Sequence, residues 1–309
     1  MGLIFGPVPS RRLGRSLGVN NIPPKHCTYS CIYCQVGRTA KPEIERRSFY
    51  EVEDLVREAV IAAERTRPDY ITFVPDGEPT LDMNLGIEAK EIKKRVPFKL
   101  AVITNSSLLW KEDVRRDLEI FDLVSLKIDS VSERTWRRIN RPHPSLNLER
   151  ILDGIEHLFD ELGGERIITE TMLVDGVNAE EGEIERIAGF LTGLSPRVAY
   201  LSVPIRPPAE EWVLPPDEEF LLRAHEILSE RGLRVELLTG SEGPGFEPGE
   251  NPREQILGIT AVHPLRMDYA LELLAKMRCG RELIDELLRE GLLVLRRYRG
   301  KEFLLRRIR

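Results

Sequence analysis

From about residue 50 onward, segments with the period of a helix alternate with short strand-like segments, and this rhythm limits the folds that the chain can adopt. The segment EVEDLVREAVIAAERT, from Glu51, repeats apolar side chains three and four residues apart, as an amphipathic helix does. The next segment, DYITFVPDG, predicts a buried strand that ends at Pro and Gly. Asn178 followed by Glu181 predicts a capping box for a helix over residues 179–193. Further strands are predicted at residues 100–104, 123–127, 167–173, 199–203 and 233–238.

Alternating strands and helices build a parallel sheet whose faces are covered by the helices. About six such units predict an α/β fold, a partial TIM barrel of the (β/α)6 type. Barrels of this kind carry their chemistry at the C-terminal ends of the strands. Polar residues at those ends are therefore the first candidates for a site.

The segment GSEGPGFEPGENPR, from Gly240, interrupts the rhythm and predicts a linker over residues 240–253 between domains at 1–239 and 254–309. After it, QILGI, MDYALELLAKM and GRELIDELLREG have the pattern of helices, the last closed by Gly291. LLVLRRYRGKEFLLRRI then predicts two strands around a turn that contains Gly300. Helices followed by a hairpin predict a small C-terminal winged-helix domain.

The composition indicates the cellular compartment in which we expect the protein. Hydrophobic residues make up 41% of its 309 residues, enough for one large and one small core. No apolar run is long enough to span a bilayer, and the N-terminal MGLIFGPVPSRR lacks the apolar stretch of a signal peptide. We therefore expect a cytoplasmic protein without a membrane partner. Thiols stay reduced there, so clustered cysteines favour a metal site or catalysis over disulfides.

Charge is distributed unevenly along the chain. The net charge is −6, yet residues 1–50 carry eight Lys or Arg against two acids. Residues 252–309 carry thirteen against eight. Two basic ends on an acidic body are compatible with a polyanionic partner, although a solvated charged surface explains them equally well.

Three of the four cysteines lie on one short segment, KHCTYSCIYCQ, as Cys27, Cys31 and Cys34. This C-x3-C-x2-C spacing predicts a metal site that lacks a fourth protein ligand, since tetrahedral sites take four. His26 would complete a zinc site, and Cys279 would complete a four-cysteine iron–sulfur cluster. The remaining alternative is a [4Fe–4S] cluster with one iron left open to a ligand from outside the protein.

The motif C-x3-C-x2-C at the start of a βα barrel resembles the radical SAM superfamily. The resemblance implies that Cys27, Cys31 and Cys34 hold a [4Fe–4S] cluster and that S-adenosylmethionine chelates the fourth iron. It also implies the reaction: the reduced cluster donates an electron, the C–S bond breaks, and a 5′-deoxyadenosyl radical takes a hydrogen atom from a substrate. A partner protein such as ferredoxin or flavodoxin would supply the electron.

Other segments match the same superfamily. DGEPTL places Gly77, Glu78 and Pro79 where the family has its Gly-Gly-Glu motif, with Asp76 at the first glycine position. The resemblance implies cofactor-binding roles for these three and for polar or adenine-contacting residues elsewhere: Tyr33, Thr104, Asn105, Ser125, Lys127, Asp129, Glu170 and Val203. No catalytic residue follows from it. Arg11, Arg12 and Arg15 precede the cysteine loop and Arg206 follows a strand, so Arg12 and Arg206 are the substrate-side candidates.

The segments PSRRLGRSLG, YCQVGRT, GEPTL and INRPH resemble the branch that includes wyosine-type tRNA-modifying synthases. The chain departs from that branch in its winged helix and in having only Cys279 to spare for a second cluster. Residues 291–309 carry seven Lys or Arg against Glu302, so a basic wing would bind tRNA phosphates. The alternatives are a protein or peptide substrate, captured by β-augmentation, a small-molecule substrate of the radical reaction, and a non-catalytic iron–sulfur sensor that binds DNA.

Overall fold

The computed structural model describes residues 2–240, 246, 248, 251–262 and 264–307. Most of the predicted linker, namely residues 241–245, 247 and 249–250, lies outside the described residues, as does Arg309 of the basic wing.

The N-terminal part is built on one eight-stranded sheet whose spatial order follows the chain. Its strands are β1 Ile4–Ser10, β2 Gly14–Val19, β3 Tyr70–Phe73, β4 Lys99–Thr104, β5 Leu123–Lys127, β6 Ile167–Met172, β7 Val198–Ser202 and β8 Val235–Leu238. Its helices are α1 Val52–Thr66, α2 Leu85–Arg95, α3 Glu112–Leu118, α4 Glu133–Asn140, α5 Leu148–Leu162, α6 Glu181–Leu194 and α7 Glu218–Glu230. Strand β1 pairs antiparallel with β2, and β2 to β8 are parallel throughout.

The sheet curls into a half-barrel, so the prediction of an α/β fold with a partial TIM barrel is confirmed. Side chains on its outer face pack against the helices in the main core. Inward-facing positions follow the two-residue period of a strand. In β5 they run from buried Leu123 through Ser125 to Lys127, and in β6 from Ile168 to Glu170. The barrel is therefore apolar at its floor and polar at the C-terminal ends of its strands.

The predicted capping box at Asn178 is wrong. Helix α6 begins at Glu181, and its N-cap, Glu180, makes no side-chain cap. The buried Asn178 side chain instead accepts from Val174 N at 2.8 Å and donates to the carbonyls of Asp129 and Met172, both at 2.8 Å. Tertiary contacts have taken this side chain, which ties the loops after β5 and β6 together.

The C-terminal part has its own sheet and its own core. Its helices are α8 Pro252–Val262, α9 Met267–Lys276 and α10 Glu282–Arg289, and its strands are β9 Leu265–Arg266, β10 Leu293–Tyr298 and β11 Lys301–Arg306. The antiparallel sheet has the order β10-β11-β9. The hairpin turns at Arg299 and Gly300, both at positive φ. Cys279 packs against the core of this part, and the winged-helix assignment and the domain bounds stay predictions.

Two contacts between the described residues show how the two parts meet. At the first, Phe5 of β1 and Ala261 of α8 bury each other's apolar surface beside Val8. At the second, the Tyr298 hydroxyl of β10 donates to the carbonyl of Pro204 at 3.0 Å. The hairpin therefore lies at the C-terminal edge of the barrel strands, where the polar residues gather. Among the described residues, no helix is both long enough and apolar enough to cross a membrane.

Candidate active site

A cavity of about 320 Å³ opens at the C-terminal ends of the barrel strands, a volume in the range of ligand sites. All three clustered cysteines line it, whereas Cys279 does not. Of the predicted cofactor-binding residues, those that line the cavity are Tyr33, Gly77, Glu78, Thr104, Asn105, Lys127, Glu170 and Val203. Arg12 and Arg206, the substrate-side candidates, line it as well. The structure therefore brings most of the predicted site residues to one cavity.

The cysteine loop is held by backbone hydrogen bonds to distant segments. Ser30 N donates to Asn140 O and Ile32 N donates to Ile139 O, each at 3.0 Å. Glu210 N donates to Ile32 O, also at 3.0 Å. The end of α4 and the loop after β7 therefore position the loop, and this is what the INRPH segment does here.

Each of two thiols faces an amide donor. Asn105 Nδ2 lies 3.6 Å from Cys27 Sγ, and Asn140 Nδ2 lies 3.4 Å from Cys31 Sγ. Burial, and then the charge of Cys31, raises the pKa of Cys27 above its usual value. Burial, and then the charge of Asp129, raises the pKa of Cys31 to about 12. Burial and mutual repulsion oppose three adjacent thiolates, so a positively charged group would be needed to stabilise all three. The donor set fits an iron–sulfur cluster, whose irons supply that charge.

The zinc alternative finds no support in the placement of His26. Its Nδ1 faces the Glu43 carboxylate and Arg47, which lies at 3.0 Å, and its ring lies 5.1 Å from that of Phe49. His26 does not line the cavity. In the part of the chain that the structure describes, no three His, Cys, Asp or Glu side chains are placed to hold a single metal ion. A cluster differs in this respect, since each thiolate binds a different iron.

The DGEP segment packs directly on the backbone of the cysteine loop. A Cβ at Gly77 would lie 1.9 Å from the carbonyl oxygen of His26, so only glycine fits there. Glu78 N donates to the same carbonyl at 2.9 Å. The buried Glu78 carboxylate accepts from Thr104 Oγ1 at 2.6 Å and from Asn105 N at 2.7 Å. Glu78 therefore joins the ends of β3 and β4 and holds Asn105 towards Cys27.

Asp76 stands where the superfamily has its first glycine, and its carboxylate is buried in the cavity wall. Its Oδ2 has no hydrogen-bond partner among the described residues, and its carbonyl accepts from Lys25 N at 2.8 Å. Burial raises the pKa of Asp76 to about 7, which the charge of Lys25 partly opposes. Lys25 also lines the cavity, although no sequence pattern pointed to it.

Glu170 is the centre of a buried ion network. Its carboxylate receives Arg12, Lys127 at 2.9 Å and Ser202 at 2.9 Å. Burial alone would raise the pKa of Glu170, but the charges of Arg12 and Lys127 outweigh it and hold that pKa far below its usual value. Arg12 also reaches Ser125 Oγ at 3.4 Å. Ser125 does not line the cavity and acts on it only through Arg12.

Asp129 supports Tyr33 from behind the cavity wall. It accepts from the Tyr33 hydroxyl, from Asn140 Nδ2 at 2.7 Å and from Met172 N at 2.8 Å. Lys127 Nζ lies 4.9 Å from the centre of the Tyr33 ring. Asp129, like Pro79, does not line the cavity, so it fixes the aromatic ring and takes no place in the binding surface itself.

The substrate-side candidates have separate surroundings. Arg206 donates to Gln35 at 2.7 Å, close to the cysteine loop, whereas Arg12 is held by Glu170. Arg15, which also precedes the cysteine loop in the chain, donates to the carbonyl of Thr66 at 2.8 Å and does not line the cavity. Arg12 lies in the turn between β1 and β2, whereas Arg15 lies within β2, so the two side chains have different surroundings.

Comparison with known proteins agrees with the fold and the cysteine loop. A family model described as "Radical SAM superfamily" matches residues 21–188. The relative named "UPF0026 protein MJ1312", from Methanocaldococcus jannaschii, is 46% identical and spans 100% of this chain and 97% of its own length.

Solved structures share the fold at low identity. A radical SAM methyltransferase from Sphaerobacter thermophilus has a TM-score of 0.51 at 18% identity, covering 72% of this chain and 66% of its own. Streptococcus suis SuiB bound to precursor peptide SuiA has a TM-score of 0.53 at 14% identity, covering 71% and 48%. The chain therefore belongs to the radical SAM superfamily and to the UPF0026 family. It is a radical SAM enzyme, which argues against a non-catalytic sensor.

Proposed function

We propose that the cavity binds a [4Fe–4S] cluster through Cys27, Cys31 and Cys34 together with S-adenosylmethionine, and that the enzyme modifies an RNA substrate. The observation that carries the proposal is that the three cysteines share one cavity with the polar ends of the parallel strands. When bound and reduced, the cluster would supply the electron that cleaves S-adenosylmethionine to start radical chemistry. The residues of the chain bind and orient these groups and keep water away from them.

Each part of the cavity wall has a defined task in this proposal. Asn105 and Asn140 donate towards sulfur and favour the thiolate forms of Cys27 and Cys31. Tyr33, fixed by Asp129, provides a rigid aromatic face beside the third cysteine. The cations around Glu170 supply a polar wall on the opposite strands. Gly77, which has no side chain, lets the cofactor approach the backbone closely, and Val203 provides an apolar contact for it.

The proposed RNA substrate rests on the branch resemblance and on the charge of the hairpin. The segments that resemble wyosine-type synthases form the β1–β2 hairpin, the cysteine loop and the end of α4. The β10–β11 hairpin, which we take as the wing of a winged helix, carries its basic residues at the barrel edge. The reducing cytoplasm, with ferredoxin or flavodoxin as electron donor, is the setting that this chemistry requires.

A peptide substrate is the second candidate, and one observation favours it. Strand β10 is an edge strand of its sheet, and its end lies beside the cavity at Pro204. An edge strand can add an extended peptide by backbone hydrogen bonds. The charge of the hairpin favours RNA over this alternative, because RNA has phosphates for the hairpin arginines to bind and a peptide has none.

The test is anaerobic. The protein is reconstituted with iron and sulfide, reduced with dithionite and supplied with S-adenosylmethionine, and 5′-deoxyadenosine is measured. We expect product from the wild type and from Cys279→Ala, and none from Cys31→Ala. Iron and sulfide content, with the electron paramagnetic resonance spectrum, checks the cluster separately. If Cys31→Ala kept full cluster content and product formation, the assignment of the cysteine loop would be wrong.

A further inference from the structure

An exposed tryptophan stands next to the basic hairpin, on a segment that the rest of the structure holds rigidly. Trp212 has 51% of its surface exposed, whereas Glu210 is 5% and Val213 is 0% exposed. An exposed indole offers a flat aromatic face on which a nucleobase can stack. Trp212 does not line the cavity and is not part of the cysteine loop, so the candidate active site does not explain its exposure.

The segment that carries Trp212 is anchored on both sides. Before it, Glu210 N donates to Ile32 O at 3.0 Å, and the Glu210 carboxylate binds Arg38 at 2.6 Å and also Arg141. After it, the carbonyl of Leu214 accepts from Asp175 N at 3.0 Å. Ile32 lies between the second and third cysteines. The Glu210–Ile32 hydrogen bond therefore joins the segment that carries Trp212 to the cysteine loop.

The basic hairpin reaches the same segment. Arg296 Nη1 lies 3.5 Å from Oε1 of Glu211, the residue that directly precedes Trp212 in the chain. Both side chains are exposed, 54% and 92%, so the pair is weak and a phosphate can replace the carboxylate. Arg299 and Lys301 at the hairpin tip are exposed as well, whereas Arg297 alternates with Arg296 along β10 and pairs with Glu302 on its other face.

The helix that usually enters a nucleic-acid groove in a winged helix is unsuited to that here. Within α10, Glu282, Asp285 and Glu286 outnumber the single cation Arg289. Arg253, which lies beside it, is bound to Glu286 and Glu290. Nucleic acid would be repelled from this helix, so the hairpin is the element that can contact phosphates.

We propose that Trp212 and the hairpin cations Arg296 and Arg299 form the entrance at which an unpaired segment of RNA is held. One base stacks on the indole, and the phosphates beside it bind the guanidinium groups. The inference rests on the proposed function, because it assigns the surface that presents the RNA to the cavity. Aromatics of the hairpin do not take this role, since Phe303 is buried and the Tyr298 hydroxyl is bonded to Pro204.

The test uses fluorescein-labelled decameric oligouridylate and an RNA duplex of the same length, with binding measured by anisotropy across a salt series. We expect the wild type to bind the single strand more tightly than the duplex and to lose tryptophan fluorescence on binding. Trp212→Ala should weaken single-strand binding roughly 5- to 100-fold with an unchanged salt slope. Trp212→Phe should retain most of the affinity, because it keeps an aromatic face.

Two further variants complete the test. Leu214→Ala, which changes a side chain of equal exposure on the same segment, should bind as the wild type does. Arg296→Gln with Arg299→Gln should lower the salt slope by about 0.7 for each phosphate that these arginines bind. Equal affinity of Trp212→Ala and the wild type, or a preference for the duplex, would overturn the proposal. The 5′-deoxyadenosine assay on the wild type is independent of this result, so failure at the entrance is distinguishable from failure of the radical chemistry.

Discussion

The cavity wall and the β10–β11 hairpin both use arginine and lysine, but in opposite ways. Arg12 and Lys127 are 18% and 16% exposed, and both bind the Glu170 carboxylate. In the hairpin, Arg296 and Arg297 are 54% and 81% exposed and bind single glutamates at the surface. Buried ion networks hold side chains in one position, whereas exposed charges give long-range attraction that salt screens. The first arrangement suits a small ligand, and the second suits a large polyanion.

The largest effect is expected where the buried network is broken. Glu170→Ala leaves the buried Arg12 without its carboxylate partner and Lys127 with only Asp129, 4.0 Å away, and should lower the free energy of unfolding by about 3–5 kcal/mol. Its counterpart, Glu302→Ala, removes the partner of exposed Arg297 and should cost less than about 0.5 kcal/mol. Urea denaturation of both variants measures the difference. Equal losses would mean that the two ion pairs do not differ as their burial indicates.

A smaller effect is expected at the contact between the DGEP segment and the cysteine loop. Gly77→Ala puts a methyl group against the His26 carbonyl and should cost about 1–3 kcal/mol, because backbone must move. The same shift should reduce the iron bound on reconstitution. Gly176→Ala is not a clean control because that glycine has positive φ, whereas Gly193→Ala meets no neighbour and should keep its iron. Full iron content in Gly77→Ala would contradict the tight contact.

A pH-dependent effect is expected at Glu88 of α2, which is fully buried outside the cavity. Burial and the charge of Asp82 raise the pKa of Glu88 to about 9. A raised pKa favours folding at low pH, and this contribution is lost as pH rises towards 9. Glu88→Gln should therefore raise the melting temperature by a few degrees at about pH 7–8, with the gain vanishing near about pH 4. Glu58→Gln on the exposed face of α1 is the control. A gain independent of pH would contradict this assignment.

The smallest effect on stability is expected in the hairpin. Arg297→Gln together with Arg299→Gln should change the free energy of unfolding by less than about 0.5 kcal/mol, because both side chains are exposed. A larger decrease, measured by thermal unfolding, would show that these arginines serve the fold and would weaken the comparison with the cavity wall.

Much of the barrel could be predicted because its patterns are local. The strand at residues 123–127 was placed at its observed bounds, since apolar runs between turn residues need no distant information. The cysteine loop was found for the same reason, because three cysteines within eight residues of a polar segment indicate a metal centre by their spacing alone. The capping box at Asn178 failed because its side chain bonds to the loop after β5, which is distant in the chain.

Residue pairing across the barrel could not be predicted in this way. The sequence marked Glu170, Lys127 and Arg12 as members of a site, but not that Glu170 takes both cations. Lys25 and Trp212 carried no pattern at all. Their significance depends on which loops the fold brings to the same edge.

The sequence by itself determined the class of fold, the ligand loop and the basic character of the hairpin, because periodicity, cysteine spacing and charge are properties of neighbouring residues. Only the tertiary structure decided that two of the three thiols face asparagines, that Glu78 joins two strands, and that the hairpin lies beside Trp212 at the cavity edge. These contacts join residues that are 26 to 109 positions apart in the chain. They depend on how the strands curl and how the two cores pack, which no local pattern records.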